Sequence, residues 1–254
     1  MNRRLPPGRS ATAFWLYGLH PVRAALKNAR RKVHRALLTE QAAAALDRSL
    51  VAKVRHEITT ADAIARLVPP GAAHQGAALL CEPLSGLTLG EVLDHRQAGQ
   101  RRLVAVLDQL TDPQNVGAIL RSAAALGVSA VIVQDRHSPP QSGSLAKAAS
   151  GALDLVPYVP VVNIARTLEE LGRAGFWRVA LARDGEQSVE ELTPADDIAI
   201  VLGSEGSGIR RLVRERCDVA AYIPISPAID SLNVSTAAAI AFYRLRYPGR
   251  QRGT

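Results

Sequence analysis

From Leu103 onward the chain repeats one rhythm: a short apolar run, then a stretch with apolar residues at helical spacing. The runs at 103–107, 130–133, 178–182, 198–202 and 222–225 are rich in Leu and β-branched residues and end at turn formers. Between them, 115–126, 145–149, 165–174 and 209–216 carry the helical pattern, and 231–246 closes the series. Strands alternating with helices imply a mostly parallel sheet covered on both faces. In such sheets ligands bind in the crevice beyond the carboxyl ends of the strands.

Residues 14–80 read as a smaller α/β unit, with a helix near 21–28, a strand near 35–39, a helix near 42–55 and a closing strand at 77–80. The segment 82–100 mixes Pro83, Gly86, Gly90 and Gly99 with short apolar pieces, which suits a linker. The expected division is a basic tail at 1–13, a first domain at 14–82, a linker at 83–100, a second domain at 101–248 and a short tail at 249–254.

Three segments at strand ends share a chemistry of small, hydrogen-bonding residues leading into a helix: 108–122, 203–208 and 226–236. Asp112 and Pro113 suit a helix start, through an Asx cap and an early proline, but that reading leaves Arg121 without a role. Asn115 and Arg121 are six residues apart, about 600° of helix at ~100° per residue, so they do not stack on one face. The 203–208 loop is GxxGxG rather than GxGxxG, and Glu205 has the wrong sign for a pyrophosphate site. No phosphate-cradling GxxxxGK[ST] loop occurs either, so a dinucleotide oxidoreductase is disfavoured. A ligand with a cationic centre, approached closely by glycine backbone, suits this loop better.

Other chemistries fail on spacing. The six histidines show no HxxxH or HExxH pattern, and the two cysteines, Cys81 and Cys217, form no CxxC pair, so no metal site is expected. Cys217 reads as a core residue. No GxSxG elbow is present for a serine hydrolase. The apolar runs are far shorter than the ~20 residues a bilayer requires, so no membrane span is expected. The Arg-rich opening is followed by too short an apolar stretch for a signal peptide, and a reducing cytoplasm is the expected location.

Charge is distributed unevenly. The chain carries 31 Lys plus Arg against 23 Asp plus Glu, and 27 of the bases are arginine. Nine bases precede the first acid at Glu40, and no acid follows Asp230. This fits either an ordinary solvated surface or one that tracks the phosphates of a polyanion.

The three loops, in this order, resemble the three motifs of the SpoU (TrmH-type) RNA ribose 2'-O-methyltransferases: NxGxxxRS from Asn115 to Ser122, GxEGxG from Gly203 to Gly208, and SLNVS from Ser231 to Ser235. The front end, YGLHPVRAAL with His74-Gln75-Gly76, resembles the ribosomal-protein-like (L30e-like) RNA-binding domain of a subset that methylates a guanosine of 23S ribosomal RNA. The resemblance implies a parallel α/β sheet with a deep trefoil knot, preceded by that small α/β domain. It also implies a homodimer acting on RNA without a metal. S-adenosylmethionine would be held in the knot by backbone at Gly203, Ile223 and Leu232, with Asn233 nearby. Arg121 would be the catalytic arginine, and Asn115, Glu205, Ser231 and Asn233 would position it, the ribose and the methyl donor.

Two roles stand open for Arg121: a general base, or a clamp on the phosphate beside the reacting ribose. A guanidinium is a poor base. Glu205 is likewise open between positioning substrate and buttressing its loop. A transfer-RNA substrate, or a non-catalytic RNA-binding or ribosome-assembly factor on the same fold, are the alternative functions.

Overall fold

The computed structural model describes residues 12–94, 101–193 and 197–247, and the expected tails and the end of the linker lie outside these residues. In chain order the elements begin β1 (Phe14–Tyr17), α1 (Leu19–Lys27), β2 (Val33–Leu38), α2 (Glu40–Ala45), α3 (Arg48–Val51), β3 (His56–Ile58), α4 (Ala61–Ala65), β4 (Ala77–Cys81) and α5 (Leu89–Asp94). They continue β5 (Leu103–Asp108), α6 (Pro113–Ala125), β6 (Ala130–Gln134), α7 (Gly143–Ala148), β7 (Tyr158–Val161), α8 (Ile164–Arg173) and β8 (Phe176–Leu181). The chain ends with β9 (Gln187–Ser188), β10 (Asp197–Gly203), α9 (Arg211–Arg214), β11 (Val219–Tyr222) and α10 (Val234–Arg246). Two compact units result. One joins residues 12–85 with Gln141–Asp154, and the other holds the rest.

The first unit is a four-stranded sheet in the order β1-β4-β2-β3, with β4 antiparallel to both neighbours and β2 parallel to β3. Leu16, Leu38, Ile64 and Leu79 are fully buried in it, each contributing ~1.5–3 kcal/mol of transfer free energy. The helical pattern at 42–55 is broken in two, because Asp47 turns its carboxylate onto the Ser49 amide and starts α3 afresh. The segment 141–154 belongs here because α7 lies on β1: a Cβ at Gly143 would fall 2.3 Å from the Trp15 carbonyl oxygen. Its far end is anchored by Asp154, whose side chain is buried, pairs with Arg31 at 2.8 Å and accepts from Asn28 Nδ2 at 3.1 Å.

The second unit is a seven-stranded, all-parallel sheet in the order β7-β6-β5-β10-β8-β11-β9. Its central strands β5 and β10 are buried on both faces, which is why LVAVLD and DIAIVLG read as unbroken apolar runs. Val104, Val106, Ala199 and Val201 face Ile164, Leu168 and Leu171 of α8. On the other side α10 packs along α6 and against β5 and β10.

Other features also depart from the sequence reading. The strand expected at 222–225 lies three residues earlier, as β11, and leaves Ile223 onward in a loop. The strands β7 and β9 were not anticipated: β7 carries Pro160, which an edge strand tolerates, and β9 is two residues long. The expected linker contains α5, opened by Thr88 and Glu91 bonding reciprocally in a capping box.

Candidate active site

Because the strands are parallel, β5, β10 and β11 deliver their following loops to one edge of the sheet. Asp112 accepts from the amides of Gln114 and Asn115 and caps α6, with Pro113 in its first turn. The cap accounts for Asp112 and Pro113, and it sets Asn115 as the third residue of α6.

Asn233 caps α10 in the same manner, its Oδ1 accepting from the Ser235 amide at 2.9 Å and from the Ser235 hydroxyl at 2.6 Å. The other end of its amide is free to act elsewhere. Nδ2 donates to Asn115 Oδ1 at 2.9 Å and to Glu205 Oε1 at 2.7 Å. Asn115 Nδ2 donates to the same Glu205 oxygen at 3.2 Å, and the Val234 amide reaches it at 3.4 Å. One residue from each of the three loops therefore meets at a single carboxylate. That carboxylate lies at the amino end of α10, where the helix dipole favours negative charge.

The loop carrying Glu205 is folded tightly on itself. Ser204 and Gly208 exchange backbone hydrogen bonds at 3.2 and 2.9 Å, and the Ser204 and Ser207 hydroxyls are 2.6 Å apart. A Cβ at Gly203 would lie 2.2 Å from the Gly208 carbonyl carbon, so no side chain fits there. Gly208 itself has φ +68°, where glycine is favoured.

Asp108 fixes the loop from beneath. It is fully buried at the end of β5 and accepts from the Arg210 amide at 3.0 Å, Nε at 2.9 Å and Nη2 at 2.5 Å. Arg210 Nη2 also donates to Gln134 Oε1 at 2.9 Å, so one guanidinium ties the ends of β5 and β6 to the 203–208 loop. The sequence signal was a lone acid ending an otherwise apolar run, which the loop chemistry overshadowed.

Next to this cluster is a cavity of about 920 Å³, lined by Gly203, Ile223, Ser231 and Leu232, with Glu205 on its wall. Its volume and mixed lining suit a ligand of cofactor size. A fourth loop, after β8, also lines it with Arg183 and Asp184 and was missed in the sequence. That loop follows a strand like the others, but it carries charges in place of the small polar residues that marked them. Arg214 holds Asp184 at 2.7 Å and keeps its carboxyl below the usual carboxylate range.

The expected site residues thus fall into three groups. Asn115, Glu205 and Asn233 are in mutual contact. Gly203, Ile223, Leu232 and Ser231 line the cavity. Arg121 is exposed on α6, two turns in, with no hydrogen bond or ion pair among the described residues. Burial pushes the Cys217 thiol up to about 12, in keeping with a packing role. Among the described residues no group of three or more His, Cys, Asp or Glu is placed to hold a metal ion, and no helix is long and apolar enough to cross a membrane.

Comparison with known proteins matches residues 102–243 to the SpoU rRNA Methylase family and residues 15–86 to the RNA 2'-O ribose methyltransferase substrate binding family. A curated relative from Coxiella burnetii, 23S rRNA (guanosine-2'-O-)-methyltransferase RlmB, is 35% identical over 93% of this chain and 95% of its own length. Among solved structures, a TrmH-family protein from Porphyromonas gingivalis is 27% identical, covers 94% of this chain and 91% of its own, and superposes with a TM-score of 0.74. The SpoU methyltransferase AviRb from Streptomyces viridochromogenes, solved with AdoMet, shares the fold at a TM-score of 0.76 and 24% identity, over 94% of this chain and 92% of that one.

Proposed function

The chain belongs to the SpoU rRNA methylase family, and from that membership we propose that it uses S-adenosylmethionine to methylate the ribose 2'-hydroxyl of a guanosine in 23S ribosomal RNA. The observation that carries the reading is the meeting of Asn115, Glu205 and Asn233 beside the cavity lined by Gly203, Ile223 and Leu232. The relative from Coxiella burnetii is named for this reaction and aligns with the chain nearly end to end, small amino-terminal unit included.

The cavity fits the methyl donor: its volume is right, and at Gly203 the bare backbone forms the wall. Gly203, Ile223 and Leu232 would hold it, and Asn233 stands at the same edge. When bound, S-adenosylmethionine supplies an electrophilic methyl group on a sulfonium centre. Glu205, fixed by Asn115 and Asn233, keeps the three loops in register and presents negative charge towards that cationic centre. Arg121 clamps the phosphate next to the acceptor, orienting the 2'-hydroxyl and stabilising the alkoxide that develops as its proton leaves. Ser231, exposed on the cavity rim, positions the ribose. DNA lacks the accepting hydroxyl and is no substrate.

In this reading residues 14–82 choose the RNA and 101–248, with the chain knotted around the donor, perform the chemistry without a metal. The molecule works as a cytoplasmic homodimer. Ile240 and Tyr243, exposed on α10, supply apolar contact area, whereas Phe242 is fully buried within its own subunit.

Mapping 2'-O-methylation in ribosomal and transfer RNA from a deletion strain tests the proposal. One 23S guanosine should lose its methyl group and regain it on complementation. Loss confined to transfer RNA would replace the substrate, and no loss at all would overturn the activity.

A further inference from the structure

The second unit holds its positive charge almost entirely in internal partnerships. Among its described residues there is no lysine, and nine arginines form ion pairs with carboxylates. Three more, Arg101, Arg244 and Arg246, donate to backbone carbonyls. Two remain without a hydrogen bond or ion pair among the described residues: Arg121 and Arg136. Arg121 belongs to the first motif. Arg136 belongs to no motif and has no assigned role.

Arg136 stands two residues beyond β6, and β6 runs parallel to β5, so it emerges at the sheet edge that carries the candidate active site. Gln134, where the loop begins, is bonded to Arg210, which in turn grips Asp108 beneath the 203–208 loop. The loop is also held along its length. The Asp135 amide donates to Val161 O at 2.9 Å, the His137 amide to Gln134 O at 3.2 Å, and the buried Tyr158 hydroxyl to Pro139 O at 2.8 Å. A guanidinium on a mobile loop would pay the ordering entropy when it bound a ligand; here the backbone is already ordered. Asp135 is exposed beside it, so without Arg136 this loop would present net negative charge to a polyanion.

We infer that Arg136 binds a backbone phosphate of the substrate RNA on the β6 side of the reacting ribose, as a second contact beside that of Arg121. The planar fork of five donors matches a phosphate bidentately, which a lysine ammonium does not. Arg136 sets affinity and register and takes no part in methyl transfer.

The inference rests on the proposed RNA methyltransferase activity, and the experiment separates the two. Arg136→Ala, Arg136→Lys and a control, Arg173→Ala, would be assayed in the full chain on a 23S ribosomal RNA fragment. Arg173 is exposed at the end of α8, just before β8 begins and so at the opposite edge of the sheet, in a solvated pair with Glu169, and its loss changes net charge equally. For Arg136→Ala the KM for RNA should rise about 10-fold, the lower end expected for one hydrogen-bonding contact to a charged group. The kcat at saturating RNA and the affinity for S-adenosylmethionine should hold. The slope of log affinity against log salt should fall by about one for Arg136→Ala, less for Arg136→Lys, and little for Arg173→Ala. An active wild type with Arg136→Ala indistinguishable from Arg173→Ala would overturn the inference alone. A fall in kcat or in methyl-donor affinity would overturn it as well, by marking a structural or catalytic role. A wild type that neither binds nor methylates the RNA would overturn the functional reading and this inference with it.

Discussion

Asn233 donates to the Glu205 carboxylate at 2.7 Å from a loop that follows a different strand, and the same amide group caps α10 with its oxygen. A side chain that ends a loop, starts a helix and bonds a second loop cannot be altered in one respect alone. Asn115 joins the same Glu205 oxygen from the third loop. The three residues therefore act as one unit, and their energetics should be those of a network rather than of separate contacts.

Glu205→Gln and Asn115→Ala should each slow single-turnover methyl transfer, by about 10-fold for ~1.5 kcal/mol, the lower end for a hydrogen bond to a charged group. The double variant should be much less impaired than the product of the two effects, with a coupling energy of about 0.5–3 kcal/mol. Strict multiplicativity of the rates would show that the network seen in the structure has no energetic unity.

At Gly203 the constraint is steric. An added Cβ would sit 2.2 Å from the backbone carbon of Gly208, and backbone cannot swing aside as a long side chain does. Gly203→Ala should weaken S-adenosylmethionine binding on the order of 10-fold or more, at least 1.4 kcal/mol, in calorimetry. Circular dichroism should show the sheet retained. Unaltered binding would remove Gly203 from the donor site.

Much of the second unit was legible in sequence because its central strands are buried on both faces. Residues 103–107 and 198–202 have no polar side chain to satisfy, so apolar run and strand coincide. At the sheet edge that logic weakens. β11 came out three residues early because the apolar Ile223 and Ile225 beyond it line or border a cavity, and burial by a ligand site and burial by a sheet look alike in sequence. The three loops were legible as a set from their small polar residues, but the bonds that unite them were not. Nothing in the spacing of Asn115, Glu205 and Asn233 says that all three reach one oxygen. The anchor formed by Asp108 and Arg210 was hidden for the same reason, since 102 residues separate its partners. The position of 141–154 was invisible too: its helical pattern is as regular as any in the second unit, and only the absence of a Cβ at Gly143 marks its closeness to β1.

Acid should weaken one ion pair of the sheet in a defined window. Burial pushes the Asp218 carboxyl up, but its bonds from the Arg178 amide at 2.7 Å and Nε at 3.0 Å outweigh this and hold it below the usual carboxylate range. A carboxyl with a lowered folded-state pKa contributes stability that is present above its unfolded value and is lost as pH falls through the folded one. The melting-temperature difference between wild type and Asp218→Asn should therefore be constant from neutral pH down to about 5 and shrink below about 4, near the unfolded carboxyl pKa. A difference that grows on acidification would reverse the sign assigned to this pair.

Arg121 separates two accounts of the chemistry. It is exposed and unpartnered among the described residues, away from the cavity lining, so neither substitution should alter S-adenosylmethionine affinity. Lysine keeps the charge but lacks the planar fork, and its pKa falls readily on burial, so it is the worse clamp and the better base. If Arg121 clamps a phosphate, Arg121→Lys should lose on the order of 10²-fold in kcat, as when an electrostatic contact to developing charge is removed. Arg121→Ala should then be equal or worse. If Arg121 is the base, the lysine variant should retain turnover with a rate that rises at alkaline pH. Near wild-type rates for Arg121→Lys would exclude the clamp. Wild-type rates for Arg121→Ala would exclude any catalytic role, leaving hydroxyl activation to another group.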